Sequence, residues 1–293
     1  MTDWTRVERA VYRVRQHYRY TYSGPVWDLK QRLIMIPRDS YRDQRLLAYD
    51  LDVRGTEGDH FVTWERDQFG NRVAKVTANR VPQAVDFEAT FRVERVRGDG
   101  PTLEPVPWEG KGPQLYLDPT AYTQPDARIE RAARGIADET RDRHVRAQLA
   151  HEWATRSIRY QYGVTGYTTP AAMALHLGRG VCQDYAHILL SVLRLLGVPC
   201  RYVSGHLLGE GAPHAWVEAL LPCEDATQVE VIAYDPTHGR RTRMDYLTVA
   251  VGRDFGDVSP TSGTFSGPAL GRLAATKKAE IVELRESPAE AVA

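Results

Sequence analysis

The sequence predicts an α+β protein, with an N-terminal antiparallel β-sandwich domain followed by a core in which one helix packs on an antiparallel sheet. Three observations carry this. Apolar and charged residues alternate at period two through much of the first hundred positions. A stretch holding six prolines and four glycines then interrupts the chain, and the remainder passes from helical spacing to short alternating runs.

In the first domain (1–97), Val11 to Tyr22 places Tyr12, Val14, Tyr18, Tyr20 and Tyr22 on one face and Arg13, Arg15 and Arg19 on the other, the pattern of a half-buried strand. Leu46 to Val53 alternates again, with Leu47, Tyr49, Leu51 and Val53 expected to point inward. Phe61 to Trp64 leads through Asp67-Gln68-Phe69-Gly70-Asn71 into Arg72 to Thr77, a hairpin signal at Gly-Asn. Phe87 to Val96 adds a strand with Phe87, Ala89, Phe91 and Val93 on one side. The connector (98–125) carries Pro101, Pro105, Pro107, Pro113, Pro119 and Pro125, which block regular helix or central strand. Its Trp108, Leu115, Tyr116 and Leu117 pin it to the surface of a folded body.

The second domain is expected over 126–275. Asp126 to Arg159 reads as helix, broken near Gly135 or Asp142, with Ile129, Ala132, Ala133, Ile136, Leu149, Trp153 and Ile158 at helical spacings. A short helical piece runs through Met173, Leu175 and Leu177 and ends at Gly178 and Gly180. The next helix starts at or just before Cys182, buries Ala186, Leu189, Leu190, Leu193 and Leu196, and stops at Gly197 and Pro199. Strands follow at Arg201 to Leu208, Ala215 to Leu221 and Glu230 to Tyr234. The rest (276–293) reads as one short strand, Ala279 to Leu284, and a charged disordered tail.

Composition excludes several classes. Lys plus Arg and Asp plus Glu both number 38, so no global field steers the chain onto nucleic acid or an anionic membrane. The N-terminus lacks the apolar core of a secretion signal, and the most apolar run, Ala186 to Val198, is too short to span a bilayer. Three cysteines, Cys182, Cys200 and Cys223, argue against a disulfide framework and for the cytoplasm. With no C-x-x-C or H-E-x-x-H, neither a metal nor another cofactor is expected. Oligomeric state stays open, although a sandwich edge strand offers one surface for pairing.

The chemistry-bearing residues are Cys182, in Gly180-Val181-Cys182, then His214 after the loop Gly209-Glu210-Gly211-Ala212-Pro213, then Asp235 before Pro236. A cysteine at a helix N-terminus meets free backbone N–H groups and the positive end of the helix dipole, which favour thiolate and supply an oxyanion donor. A histidine opening a strand can serve as its base, and an acid ending the neighbouring strand can orient that histidine. Each has a plainer reading as well: a small buried thiol, a hydrogen-bonded histidine at a strand start, a turn-initiating Asp-Pro. On the residues alone both readings stand.

Four blocks resemble the transglutaminase-like superfamily core: Gly180 to His187, Leu196 to Gly205, His214-Ala215-Trp216-Val217-Glu218, and Tyr234-Asp235-Pro236-Thr237. The resemblance extends upstream to Leu115 to Tyr122, with Thr120 where the family has serine, and downstream to Val249 to Phe255. The first hundred residues resemble the β domain that precedes this core in bacterial members. It implies a papain/transglutaminase-like core whose nucleophile, histidine and acid fall on Cys182, His214 and Asp235. It also implies a thiol-dependent acyl-transfer enzyme acting on peptide or isopeptide amide bonds of a peptide or protein substrate, as a cysteine peptidase or amidase. The alternatives are a protein-glutamine γ-glutamyltransferase that crosslinks amines, and a non-catalytic scaffold. No calcium loop supports the metal control of animal crosslinking relatives.

The chain departs from the family pattern at Cys200, where core packing is expected, and at Pro222 to Gln228, which lengthens a hairpin and could alter the cleft rim. His187, five positions after Cys182, is expected on another helix face, as a packing or surface residue. Gln183 and Asp184 are expected to cap the first turn, and Trp216 to wall the cleft or fill the core. Tyr160, Tyr162 and His176 are candidates for a second oxyanion donor.

Overall fold

Strands whose two sides differ in polarity must bury one side, and here two such sheets close on each other. The computed structural model describes residues 2–107 and 112–287 of the 293-residue chain. The N-terminal strands are β1 (Val7–Tyr22), β2 (Val26–Leu33), β3 (Ser40–Tyr41), β4 (Gln44–Arg54), β5 (Glu57–Arg66), β6 (Arg72–Val81) and β7 (Ala84–Val96). The connector holds β8 (Leu103–Pro105) and α1 (Gln114–Leu117). The core follows with α2 (Ala127–Glu139), α3 (Arg143–Ser157), β9 (Arg159–Tyr160), α4 (Ala171–Leu177), β10 (Arg179–Gly180) and α5 (Cys182–Leu195). After these come β11 (Cys200–Leu207), β12 (His214–Pro222), β13 (Gln228–Asp235), β14 (Arg240–Arg241), β15 (Tyr246–Gly252) and α6 (Phe255–Val258), and the chain returns to the sandwich through β16 (Thr261–Ser266) and β17 (Gly271–Glu286).

Among the described residues, one sandwich sheet runs β17-β1-β7-β4-β3 and the other β16-β2-β6-β5. Their inner faces meet over Tyr18, Leu29, Leu33, Val76, Phe87 and Ala89, so the β-sandwich read from the alternation is present. The β5–β6 hairpin pairs Arg66 with Arg72, and Asp67 accepts the amides of Phe69 and Asn71 inside the turn.

The face expected for β4 is partly wrong. A register shift against β7 between Leu46 and Ala48 turns Leu46 toward the core and leaves Leu47 40% exposed, while Tyr49 keeps the face of Leu51 and Val53 and packs against Trp64 of the other sheet. One extra residue in a strand exchanges its faces from that point, which no period-two reading can foresee. β2 carries no clear alternation and was not foreseen.

The C-terminal expectation also changes. The short strand at 279–284 is a sixteen-residue strand, paired with β1 from Val7↔Glu286 to Tyr22↔Gly271, and β16 pairs with β2. The sandwich thus contains chain from both ends, and the boundary expected at 275 falls inside β17. The long β1 has two rows of backbone groups to satisfy: β7 takes one and β17 the other. Residues 288–293 lie outside the described residues.

The connector is less irregular than its prolines imply. β8 adds to β13 as an edge strand, where Pro105 costs no ladder bond, and α1 buries Tyr116. Trp108 lies outside the described residues.

In the core, the long helical segment breaks at 140–142, the Asp142 alternative, while Gly135 stays inside α2. Asp126 accepts from Arg128 and Ile129 to cap α2, and Asp142 accepts from His144 and Val145 to cap α3. On α4, Ala171, Ala174 and Leu175 face inward, and Met173 and Leu177 are exposed.

α5 packs its apolar face, including Ala186, Leu189, Leu190 and Leu193, against Cys200 and Tyr202 of β11 and Ala215, Val217, Ala219 and Leu221 of β12. These strands belong to a sheet ordered β14-β13-β12-β11-β15. Among the described residues, no helix is long and apolar enough to cross a membrane.

Candidate active site

The head of α5 is shaped by the residues just before it. Gly178 closes α4 in the left-handed conformation (φ +64°), and its amide bonds back to Ala174 and Leu175. Gly180 follows in β10, where a Cβ would stand 2.5 Å from Asp184 Oδ2. That close approach lets Asp184 reach back to the Val181 amide (2.7 Å) and take a hydrogen bond from the Thr165 hydroxyl (2.7 Å). Asp184 is therefore a cap, as expected. Gln183 instead donates to the Tyr167 carbonyl at 3.0 Å. Cys182 sits in the first turn of α5, partly exposed.

His214 opens β12 opposite Gly205 of β11, and Asp235 closes β13. His214 Nε2 lies 2.8 Å from Asp235 Oδ2. With that nitrogen engaged, Nδ1 stands 3.2 Å from Glu210 Oε2, and Cys182 lies near enough to the imidazole to favour its charged form. The three residues singled out in the sequence are thus brought together, with the imidazole between thiol and carboxylate.

The surrounding groups hold the imidazole charged. Burial works against its charge, but hydrogen bonds with Asp235, Cys182 and Glu210 prevail and raise His214 to about 12. Asp235 is fully buried, yet hydrogen bonds from His214, His238 and Tyr246 hold its carboxyl well below the usual carboxylate range. Its Oδ2 receives His214, the His238 Nδ1 (2.8 Å) and the Tyr246 hydroxyl (2.6 Å), and its Oδ1 receives the amides of Thr237 (2.9 Å) and His238 (3.3 Å).

His238, Tyr246 and Glu210 were not singled out as site residues. His238 carried a local signal, since Asp-Pro-x-His lets an aspartate fold back on the amides two and three residues ahead. Tyr246 carried none, because it arrives from β15. Glu210 sits on the 208–213 loop and bridges His214 to His238 Nε2 at 3.4 Å. Lys277 of β17 ties that loop down, donating to the Ala212 carbonyl at 2.9 Å and the Leu207 carbonyl at 3.5 Å. Burial pushes the Lys277 amine down to about 8.

Other expectations resolve as follows. Trp216 is buried and stacks on His214 with ring centroids 6.3 Å apart. His187 is fully buried between Tyr122 and Tyr202, and burial with the charge of Arg194 pushes it down to about 3, so it is a neutral packing residue. Cys200 is buried against α5. The segment after Pro222 joins β12 to β13 at the end of β12 opposite His214, about 25 Å along the strand, so it does not rim the cleft. Of the three second-donor candidates, Tyr160 is the one placed near the thiol: it pairs with Gly180, two residues before Cys182. Burial foremost, then the charges of Cys182 and Glu210, raise its hydroxyl. Tyr162 is 87% exposed, and His176 is exposed on α4.

His214, Asp235 and His238 offer ligand atoms within 4.8 Å of one another. Asp235 Oδ2 is already hydrogen-bonded to both imidazoles, which favours an oriented imidazole over a metal centre.

Known proteins resemble the chain in both of its parts. Residues 12–94 match the bacterial transglutaminase-like N-terminal region, and residues 130–236 match the transglutaminase-like superfamily. An uncharacterized protein of Mycobacterium leprae is 30% identical over 265 residues, spanning 85% of this chain and 90% of that protein. One from Mycobacterium bovis is 29% identical over 280 residues, 86% of each. The crystal structure of a candidate cysteine protease from Cytophaga hutchinsonii superposes with a TM-score of 0.74 at 19% identity, covering 96% of this chain and 93% of that one. At that identity the likeness establishes the fold alone.

Proposed function

The chain belongs to the transglutaminase-like superfamily, in its bacterial form, and from that premise we propose that it is a cysteine peptidase or amidase acting on peptide or isopeptide amide bonds. The observation that carries this is the His214 imidazole held between the Cys182 thiol and the buried Asp235 carboxylate.

In this reading the proton shared by the pair already rests on Nδ1 of the charged His214, and Sγ attacks the amide carbonyl carbon. The first amide of α5 has no intrahelical acceptor and faces the developing oxyanion, with the Tyr160 hydroxyl as second donor. Collapse breaks the C–N bond as Nδ1 returns its proton to the leaving amine, leaving a thioester on Cys182. His214 then takes a proton from water, hydroxide adds to the thioester, and the acid leaves as Cys182 is regenerated. Asp235 keeps Nε2 as the fixed donor throughout.

The test is incubation with a glutamine-containing peptide and an isotopically labelled primary amine, with the products weighed by mass spectrometry. Acid product together with an acyl adduct on Cys182 supports the proposal. Dominant amine incorporation would instead favour crosslinking, and no turnover with no adduct would sink the enzyme reading. The three free cysteines fit a reducing compartment such as the cytoplasm.

Glu210 gives a pH prediction. A histidine whose folded value is raised stabilises the protein fully below its unfolded value of about 6.5, and that contribution is lost as pH rises toward its folded value. Removing one carboxylate from Nδ1 lowers that folded value. Glu210→Gln is therefore expected to move the alkaline limb of the pH–rate profile to lower pH, with its acidic limb little changed. A profile superimposable on that of the unmodified enzyme would show that Glu210 does not act on His214.

A second expected effect concerns Tyr160. Tyr160→Phe should lower kcat about tenfold or more with KM little changed, because a donor aimed at the oxyanion acts in the transition state. A change confined to KM would remove Tyr160 from the oxyanion site.

A further inference from the structure

Away from Cys182, the seam between the sandwich and the core forms an open cavity of about 280 Å³ whose walls include Arg38, Tyr41, Arg42, Glu104, Tyr116 and Arg201. The sandwich supplies the first three, the connector the next two and β11 the last. Three guanidiniums surround one aromatic ring: the carbons of Arg38, Arg42 and Arg201 stand 5.0, 4.9 and 5.4 Å from the Tyr41 centroid.

Two of the three have carboxylate partners. Arg201 is paired with Glu104 (2.8 Å) and Glu218 (2.7 Å), and Arg42 with Glu218 and, at 3.4 Å, Glu104. Arg38 differs. It donates to the Phe69 carbonyl (2.7 Å) and the Asn71 side-chain oxygen (3.3 Å), both uncharged, and among the described residues no carboxylate pairs with it. The neighbouring acids are committed elsewhere: Asp67 to Arg32 and Asn71, Asp39 to Arg66 and Arg72. Three arginines against Glu104 and Glu218 leave one positive charge over, in a partly buried space where charge is expensive unless matched.

A guanidinium cannot shed its proton to relieve this, and its planar fork suits a carboxylate or phosphate. The cavity is several times the roughly 30 Å³ share of one water and close to the lower end of small-molecule pockets, about 300 Å³. We propose that it binds a small organic molecule bearing a carboxylate or phosphate, gripped by Arg38 alongside Arg42 and Arg201, and thereby joins the sandwich to the core.

The test uses the full chain with phosphate, pyrophosphate and citrate as probes, at a fixed ionic strength of about 0.15 M so that general screening is constant. Calorimetry should show saturable 1:1 binding of at least one probe. At 100 times its Kd, that probe should raise Tm by about 5–10 °C. Preference for citrate over the two phosphates, or the reverse, names the natural anion's chemistry.

Arg38→Gln should weaken binding at least tenfold. So should Ser40→Glu, which sets a carboxylate in the cavity from an exposed position. Cys182→Ala should bind as the unmodified chain does, separating this site from the thiol. Absence of saturable binding by all three probes overturns the proposal whatever the variants do, and so does unchanged affinity in both Arg38→Gln and Ser40→Glu.

Discussion

Asp235→Asn is expected to lower kcat by about 10⁴-fold, with KM little changed. That is the scale of the loss when the acid of a hydrolytic triad becomes an amide and the histidine loses its tautomer. Here the geometry leaves the amide no good orientation. If its NH₂ takes the place of Oδ2, it confronts three donors, from His214, His238 and Tyr246. If it takes the place of Oδ1, it meets the amides of Thr237 and His238. Either way a donor faces donors in a fully buried position, at about 1–3 kcal/mol for each group left unpaired. Activity per folded molecule, with the folded fraction taken from near-ultraviolet circular dichroism, separates the catalytic loss from the structural one. A variant within tenfold of the unmodified kcat would remove Asp235 from the mechanism. The same contacts carry a pH dependence: Asp235 lies below the usual carboxylate range, so its contribution to stability is present above about pH 4 and is lost as pH falls further.

What could be read from the sequence was what local rules encode. The head of α5 follows from Gly180-Val181-Cys182 and the apolar spacing after it, and the two sandwich layers from strands such as β1 and β7, each with one apolar side. Where tertiary partners decide, local reading ran out. β17 is exposed on most of both sides, so it has no alternation to detect, and its place is set by the hydrogen-bonding needs of β1 some 270 positions earlier. Leu47 faces outward because one residue slips against β7. The site divides the same way. Cys182, His214 and Asp235 stand at element boundaries, within motifs, whereas Tyr246 and Glu210 reach the site only through β15 pairing and the loop that Lys277 fastens.

Glu218→Ala is expected to destabilise the fold by about 3–5 kcal/mol, the cost of breaking a buried ion pair by removing one partner. In a chain of this size that is a fall in Tm on the order of 10 °C. Glu218 is 1% exposed and stands two residues beyond Trp216 on the side of β12 that faces the sandwich. It accepts from the Tyr41 hydroxyl at 2.6 Å and from Arg201 Nε at 2.7 Å, and pairs with Arg42. Tyr41 and Arg42 belong to the sandwich and Arg201 to the core, so one carboxylate fastens the two bodies. Truncating it leaves the Arg42 and Arg201 guanidiniums sharing Glu104, beside Arg38, with which no carboxylate among the described residues pairs. The double variant Glu218→Ala with Arg42→Met removes one of the stranded charges and should recover part of the lost stability; chemical denaturation of the single and double variants measures both. A loss below about 1 kcal/mol in the single variant, or no recovery in the double, would mean that packing of Tyr41, Phe69 and Tyr116 joins the bodies without help from the charge network.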